Sequence, residues 1–427
     1  MKKICIVLIL LIFLSIISLT YISNNRKYFN YEKIAPEETQ ANIYEYYIYG
    51  NHLNIKGSLK TADMNYKNIS MVLYNKETKE IEVNFSNQKQ KIDFNISEYI
   101  NDGLYLDNIP RGNYKLFLKV TYKSPNDNKK QIIKYYSLKN NTKYKNTTYY
   151  TLTKYNNKIT IDFDNKYKTM VLNIKKNKDD NIYDITIDPG HGGMDTGANN
   201  RTNYERDYTM AISLKIKKYL ENSNFKVKLT HEENELTNND LLEKYNTNGR
   251  AIIPNEVKSK YTFSIHLNMN TYKSARGFEI YTAKNINYDL AKKIATNLKN
   301  YTKLYYSTNE TDKILDGIYS RNLTESDIKK THSEYRRRGC KSNYKITENS
   351  SYYYMIRETG GYITGAYIDD RNEKIIGSNP YYNSNVGNES YLLELGYLSN
   401  YSDLIIIKSS INNIAKAIAD AIIANIK

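Results

Sequence analysis

The 427-residue chain has few cysteines, few histidines and no tryptophan. Of its two cysteines, Cys5 lies in an apolar N-terminal run and Cys340 stands alone in the rest of the chain. An internal disulfide framework is therefore excluded outside that run, and so is a small secreted module that depends on disulfides. With only 5 histidines in the chain, the sequence around each one is informative.

The sequence also lacks a compact block of lysine and arginine interleaved with aromatic residues, and it has no internal repeat. We therefore expect no nucleic-acid partner, although the formal net charge is +16 and the pI is near 9.2. Such a charge favours polyanionic surroundings such as anionic lipid or an anionic cell wall. An AT-rich coding sequence is an alternative explanation, since Asn, Lys, Ile and Tyr are all abundant.

The N-terminus has the pattern of an export signal. Lys2 and Lys3 precede an apolar run from Ile4 to Ile22, which is long enough to cross a bilayer as a helix. No small-x-small cleavage site follows it. We expect residues 1–26 to be a signal anchor or a signal peptide. The remaining chain is then exported across the cytoplasmic membrane, and it is either membrane-anchored through residues 4–22 or cell-wall associated on the outer side.

Residues 27–40 are polar and are predicted to be a linker. From 41 to 178 the apolar residues alternate in short runs separated by Asn, Gly, Asp and Ser, which predicts strands and turns. Runs of this kind are His52–Gly57, Ser70–Tyr74, Glu80–Phe85, Tyr114–Tyr122 and Lys158–Phe163. The segment is predicted to be an all-β, immunoglobulin-like sandwich, whose partner the sequence does not identify.

From residue 183 to 427 the period of the apolar residues changes. Strands are predicted at 184–187, 225–229 and 262–265, and amphipathic helices at 209–222 and around 290–298. The clearest helical stripe runs from Ile411 to Ile426. This alternation predicts an α/β domain with a central, mostly parallel sheet flanked by helices on both faces.

The stretch ITIDPGHGGMDTG (185–197) places a histidine between glycines directly after a strand. A catalytic zinc site needs three protein ligands and one open position, and sites in α/β sheets gather where strands end. His191, Glu205 at the head of the first helix and His266 at the end of a buried strand satisfy both conditions. Each also has a structural explanation, because an acidic residue suits a helix N-terminus and a core histidine can bond backbone.

Glu394 in SYLLELGYLSN (390–400) is a fourth candidate. It falls at the end of an apolar strand, where an ionisable carboxylate is costly unless it is paired or acts near a cation. A glutamate beside zinc-bound water is the usual general base of metal-assisted amide hydrolysis.

These motifs together resemble the zinc-dependent N-acetylmuramoyl-L-alanine amidases, the type-3 amidase family of bacterial cell-wall hydrolases. The resemblance rests on DPGHGG, the glutamate fourteen residues after His191, SIHLN and LLELGYLSN, in that order. It covers residues 183–427 and includes Asn248-x-Arg250 and the strand that begins Gly277-Phe-Glu-Ile-Tyr.

The resemblance implies that His191, Glu205 and His266 ligate Zn²⁺ and that Glu394 is the general base. The reaction would cleave the amide between N-acetylmuramic acid and the L-alanine of the stem peptide, so the partners would be peptidoglycan glycan strands and stem peptides. Asp188 is expected to fix the turn or support a ligand.

Three other histidines, two other glutamates and one long loop are also considered for a role in the site. His231 is expected to face the surface, His332 to be solvated and His52 to have no chemical role. Glu358 and Glu389 are rival carboxylates that end no strand as cleanly as Glu394. Loop 360–389 is either a substrate-contacting segment, through Tyr367, Arg371, Tyr381 and Tyr382, or a surface insertion.

Two other functions stay open at this point. One is a catalytically idle wall-binding protein that keeps the fold, which intact candidate residues argue against. The other is a zinc endopeptidase that cuts within the stem peptide or a crosslink. The sequence does not indicate whether the protein acts in cell separation, sporulation or germination.

Overall fold

The computed structural model describes residues 36–61, 65–75, 78–88, 90–124, 130–166, 168–232, 249–337, 346–366 and 379–426. The apolar run at 4–22, most of the predicted linker and Cys340 lie outside these residues. None of the helices within the described ranges is long and apolar enough to span a membrane.

The N-terminal part of the described chain consists of strands. They are β1 (Pro36–Tyr49), β2 (His52–Lys60), β3 (Tyr66–Tyr74), β4 (Thr78–Glu82), β5 (Asn84–Gln88), β6 (Lys91–Asn95), β7 (Leu104–Tyr105), β8 (Gly112–Lys123), β9 (Gln131–Asn140), β10 (Thr147–Tyr150), β11 (Asn157–Asp164) and β12 (Thr169–Lys176). Strand β11 illustrates the alternation typical of a strand with one buried face, because Ile159 and Ile161 are buried while Lys158 and Asp162, on either side of them, are exposed. Strand β1 begins at Pro36, so the end of the predicted linker is extended chain that pairs with β9.

The second part mixes strands and helices. Its strands are β13 (Ile185–Pro189), β14 (Asn199–Asn200), β15 (Asn203–Tyr204), β16 (Val227–Leu229), β17 (Tyr261–Asn268), β18 (Glu279–Thr282), β19 (Lys313–Leu315), β20 (Ile318–Tyr319), β21 (Val386–Gly387) and β22 (Glu389–Tyr397). Its helices are α1 (Glu205–Asn222), α2 (Ile253–Glu256), α3 (Asp289–Tyr301), α4 (Glu325–Arg337), α5 (Tyr354–Thr359) and α6 (Tyr401–Asn425), with a 3₁₀ turn at Gly361–Thr364.

Strands β1–β12 and β21 belong to one 13-stranded sheet, in which β10-β11-β12-β8-β9-β1-β2-β6-β5 are successive neighbours. Strand β8 also pairs with β3, and β2 with β7. The pairs are antiparallel except for β1 with β9 and β1 with β21. The predicted strands are present, and the immunoglobulin-like arrangement stays a prediction.

The second sheet has seven strands in the order β16-β13-β17-β22-β18-β20-β19. The neighbours from β16 to β22 are parallel, and β22 with β18 is antiparallel. Helix α6 packs beside α3, where Asn297 Nδ2 donates to the carbonyl of Ala417 at 3.1 Å. The α/β fold with a mostly parallel sheet, predicted from residue 183 onward, is confirmed.

The two sheets join at the amino ends of the parallel strands. Strand β1 pairs in parallel with β21 through Ile48–Val386 and Tyr49–Gly387. Buried polar contacts cross the same junction, from Tyr261 to Asn51, from Asn101 to Glu389, and from Thr153 to Asp184. Because these contacts lie where β13, β17 and β22 begin, the 13-stranded sheet leaves their carboxyl ends uncovered.

Candidate metal centre

The first candidate ligand, His191, lies two residues after the end of strand β13. All five of its residues are buried, and the chain turns sharply after Pro189. His191 itself adopts a left-handed conformation with φ +63°, followed by Gly192 at +131° and Gly193 at +56°. Histidine tolerates this region better than most residues, but it is strained, and such strain is concentrated at functional sites.

Two glycines in this motif are required by close packing. A Cβ on Gly190 would lie 2.5 Å from Cε1 of His266, and one on Gly197 would lie 2.5 Å from Cδ2 of His191 and 2.6 Å from Oε2 of Glu205. Gly190 and Gly197 therefore leave the space that His266, His191 and Glu205 occupy.

Glu205 is the centre of the group. It is the first residue of α1 and is 3% exposed. The backbone N–H of Ala198 donates to Oε2 and that of Leu267 to Oε1, each at 2.8 Å. Both oxygens are thus held in place by backbone N–H groups of the two segments that carry the histidines, the turn after His191 and strand β17.

The three predicted ligands are brought together. Nε2 of His191 lies 3.1 Å from Oε2 of Glu205, and Nδ1 of His266 lies 3.0 Å from Oε1. The imidazole rings are nearly perpendicular, at 82° with centroids 5.0 Å apart. One ligand atom from each residue lies within 4.8 Å of the others. Two imidazole nitrogens and one carboxylate oxygen are donor types that bind divalent metal ions in proteins, so the three residues form a candidate metal site.

The charges of the group are consistent with cation binding. Burial raises the pKa of Glu205, but hydrogen bonds from His191 and His266 outweigh it and hold the pKa well below its usual range. Burial lowers the pKa of His191, yet Glu205 and Asp195 together raise it above its usual value. Glu205 is therefore ionised at neutral pH, as a ligand must be.

Two residues that sequence reasoning left without a role support His191. Oδ2 of Asp195 lies 2.8 Å from Nδ1 of His191, on the ring edge away from Glu205. Arg250 donates to the carbonyl of His191 at 2.9 Å and to that of Pro189 at 3.3 Å. The only signal for Asp195 was its position four residues after His191, inside the glycine-rich turn.

Asp188 lies beneath the turn and is fully buried. It accepts hydrogen bonds from Thr230 at 2.7 Å and Ser264 at 2.6 Å, and Arg250 Nη1 is 3.4 Å from Oδ1. The contacts agree with the expected role of supporting the turn.

The expectation that His231 faces the surface is wrong. His231 is 8% exposed because it follows Thr230, whose hydroxyl bonds to the buried Asp188. Burial, with a contribution from Arg250, lowers the pKa of His231 to about 4. It does not belong to the group of candidate ligands.

Glu394 lies within β22, three residues before its end, and is the direct strand neighbour of His266 on β17. Among the described residues, no partner hydrogen-bonds its buried Oε2. Burial, followed by the charges of Glu205 and Glu279, raises its pKa well above the usual value. Glu394 is therefore a carboxylate whose buried Oε2 has no hydrogen-bond partner among the described residues, on the strand next to the candidate ligand His266.

The rival carboxylates are occupied elsewhere. Glu358 is ion-paired with Arg357 at 2.9 Å. Glu389 starts β22 at the junction of the two sheets, where it accepts from Asn101 and Tyr391.

Of the loop residues suggested to contact substrate, Tyr367 and Arg371 lie outside the described residues. Tyr381 contributes to a cavity of about 330 Å³ at the sheet junction, together with Asn255, Lys258 and Asn388.

Comparison with known proteins agrees with the resemblance noted from the motifs. A family model described as N-acetylmuramoyl-L-alanine amidase matches residues 185–424. The "Probable cell wall amidase LytH" of Staphylococcus aureus is 33% identical over 86 residues, which is 16% of this chain and 30% of that protein. The chain thus spans less than a third of the length of the curated relatives that it matches.

Solved structures of amidases are also similar to this chain. The catalytic domain of CwlV from Bacillus (Paenibacillus) polymyxa var. colistinus is 21% identical, with 57% of this chain and 98% of that chain covered and a TM-score of 0.37. The amidase AmiC2 of Nostoc punctiforme is 20% identical, with 57% and 96% covered and a TM-score of 0.36. Because the family model matches more than half of its residues, the chain belongs to the N-acetylmuramoyl-L-alanine amidase family.

Proposed function

We propose that this protein is a zinc-dependent hydrolase of peptidoglycan that cleaves the amide between N-acetylmuramic acid and the L-alanine of the stem peptide. The observation that carries the proposal is the convergence of His191, Glu205 and His266 with an unpaired Glu394 on the strand next to His266. Family membership supplies the substrate class.

His191, Glu205 and His266 would hold the zinc. Bound zinc supplies a Lewis acid that polarises the scissile carbonyl and lowers the pKa of water. Asp195 orients the His191 ring through Nδ1, so that Nε2 faces Glu205. Arg250 holds the backbone of the turn through two carbonyls.

Glu394 performs the proton transfers. Its carboxylate accepts a proton from the attacking water and donates it to the nitrogen of the leaving L-alanine as the C–N bond breaks. Burial, followed by the charges of Glu205 and Glu279, raises the pKa of Glu394 above its usual value, which makes the carboxylate a stronger proton acceptor.

We further propose that the protein acts outside the cytoplasmic membrane, with residues 4–22 as the anchor or the signal. Strand β1 has 14 residues, which at the usual rise corresponds to about 45 Å. It ends at the amino ends of the parallel strands, whereas the candidate ligands lie at their carboxyl ends. The 13-stranded sheet would therefore lie between an anchor and the site, and the site would face away from the membrane.

The test is product analysis on purified peptidoglycan with the full chain in detergent. We expect zinc-loaded protein to release intact stem peptides with a free L-alanine amine, detected by mass spectrometry. A chelator and Glu394→Ala should each abolish release, whereas Glu310→Ala, at a carboxylate that is 75% exposed, should not. Fragments cut within the stem peptide would instead indicate an endopeptidase. No release, with sedimentation on peptidoglycan retained, would indicate a wall-binding protein.

A further inference from the structure

Glu279 is a buried carboxylate that the proposed mechanism does not use. It is the first residue of β18, is 1% exposed, and lies directly opposite Glu394 on the antiparallel neighbour β22. Since His266 is the neighbour of Glu394 on the other side, the three residues form one row across three adjacent strands.

The carboxylate of Glu279 accepts hydrogen bonds from four side chains. Oε1 accepts from the hydroxyls of Ser307 and Tyr397, each at 2.6 Å. Oε2 accepts from the hydroxyl of Tyr281 at 2.6 Å and from Nδ2 of Asn268 at 3.3 Å. A buried charge is tolerated only with such compensation.

The donors come from both strands that carry the proposed site. Asn268 is two residues after His266, and Tyr397 is three residues after Glu394. These two donors are themselves neighbours across β17 and β22, just beyond a register shift that begins at His266. Glu279 therefore connects β17 and β22 through hydrogen bonds, next to the register shift that follows His266 and close to Glu394.

We propose that Glu279 is a positioning residue for Glu394, acting by holding Asn268 and Tyr397 together beyond this register shift. The inference rests on the proposed function of Glu394 as the general base. Glu279 is 1% exposed, so in this proposal it acts through Asn268 and Tyr397 and not by contact with substrate. Glu205 is held separately, through Ala198 and Leu267, so Glu279 acts on the base more than on the metal.

The test compares Glu279→Gln with Asp107→Asn in the zinc-loaded full chain. Glutamine retains an acceptor for Ser307 and Tyr397 but presents an amide N–H₂ to the N–H₂ of Asn268, which breaks that contact. Asp107 is the matched control, because it is a fully buried carboxylate in the turn after β7, outside the seven-stranded sheet, and accepts from the Tyr149 hydroxyl at 2.6 Å.

For Glu279→Gln we expect kcat to fall about tenfold, while KM and zinc affinity change less than about threefold. Hydrogen–deuterium exchange should increase in peptides covering 264–270 and 392–398. Asp107→Asn should leave kcat and the exchange of these peptides unchanged.

Unchanged kcat and exchange in Glu279→Gln would overturn the proposal. So would a loss of zinc affinity as large as the loss of kcat, since the effect would then lie on the ligands. If the wild-type protein releases no product, the proposed function fails instead. The exchange measurement then still decides whether Glu279 holds the two strands.

Discussion

His266 and Glu394 are direct neighbours on adjacent parallel strands, although 128 positions separate them in the chain. Their pairing places an imidazole, a candidate metal ligand, beside a carboxylate whose Oε2 has no hydrogen-bond partner among the described residues, near the carboxyl ends of these strands. The other two candidate ligands lie beside them: His191 follows β13, and Glu205 is the first residue of α1.

Replacing Gly197 by alanine should weaken zinc binding by at least about tenfold. The new Cβ would overlap His191 and Glu205, so the two ligands must move apart. Zinc affinity, measured by competition with a chelating dye, checks the prediction. Gly193→Ala is the control, since it has similar backbone strain at φ +56° but no close contact to either ligand. Equal losses in both variants would attribute the effect to backbone strain.

Asp195→Asn should lower zinc affinity by roughly tenfold, because residues that orient a ligand histidine contribute about 10- to 100-fold. Asp195 bonds Nδ1 of His191, whereas Asp207 on α1 has a similarly exposed side chain, at 55% against 53%, and is ion-paired with Arg206. Asp207→Asn should therefore bind zinc like the wild-type protein. The same dye competition compares the two variants, and indistinguishable affinities would contradict the role of Asp195.

Arg250→Ala should lower the free energy of unfolding by about 3–5 kcal/mol, because it leaves the fully buried Asp188 without its cation. Arg321→Ala should cost less than about 1 kcal/mol, since Arg321 and its partners Asp312 and Asp327 are partly exposed. Urea unfolding measures both. In the double variant Arg250→Ala with Asp188→Asn, part of the loss should be recovered. A loss for Arg250→Ala no larger than that for Arg321→Ala would argue against the buried pair.

Stability should fall as the pH rises toward neutrality because of Glu389. Burial raises its pKa from 4.5 to about 7, so between these values the folded state binds more protons than the unfolded state. The free energy of unfolding then decreases with rising pH, by roughly 3 kcal/mol in total. The contribution is fully present below about pH 4.5 and is lost above about pH 7.

Glu389→Gln should remove this slope, so the variant should be more stable than the wild-type protein at pH 8 and similar at pH 4.5. Urea unfolding across that range checks it, with Glu310→Gln as an exposed control. A wild-type slope that persists in Glu389→Gln would assign the pH dependence to other groups.

Local sequence was sufficient to predict the α/β class and the candidate ligands. His191 follows a strand, Glu205 begins a helix and His266 lies near the end of a strand, and the apolar periodicity that marks these elements is a local property. The sequence also placed His191 between glycines directly after a strand, and the structure adds that a Cβ on Gly190 would meet His266.

Residues whose role depends on non-local contacts were not predicted. Glu279 receives hydrogen bonds from residues up to 118 positions away, and His231 is buried through the contact between Thr230 and Asp188. Residues 185–197 by themselves determined that a histidine would be presented on a strained, glycine-rich turn. Only the tertiary structure decided that, among the described residues, Glu279 and Glu389 have hydrogen-bond donors whereas the buried Oε2 of Glu394 has none, because some of these donors come from residues distant in the chain.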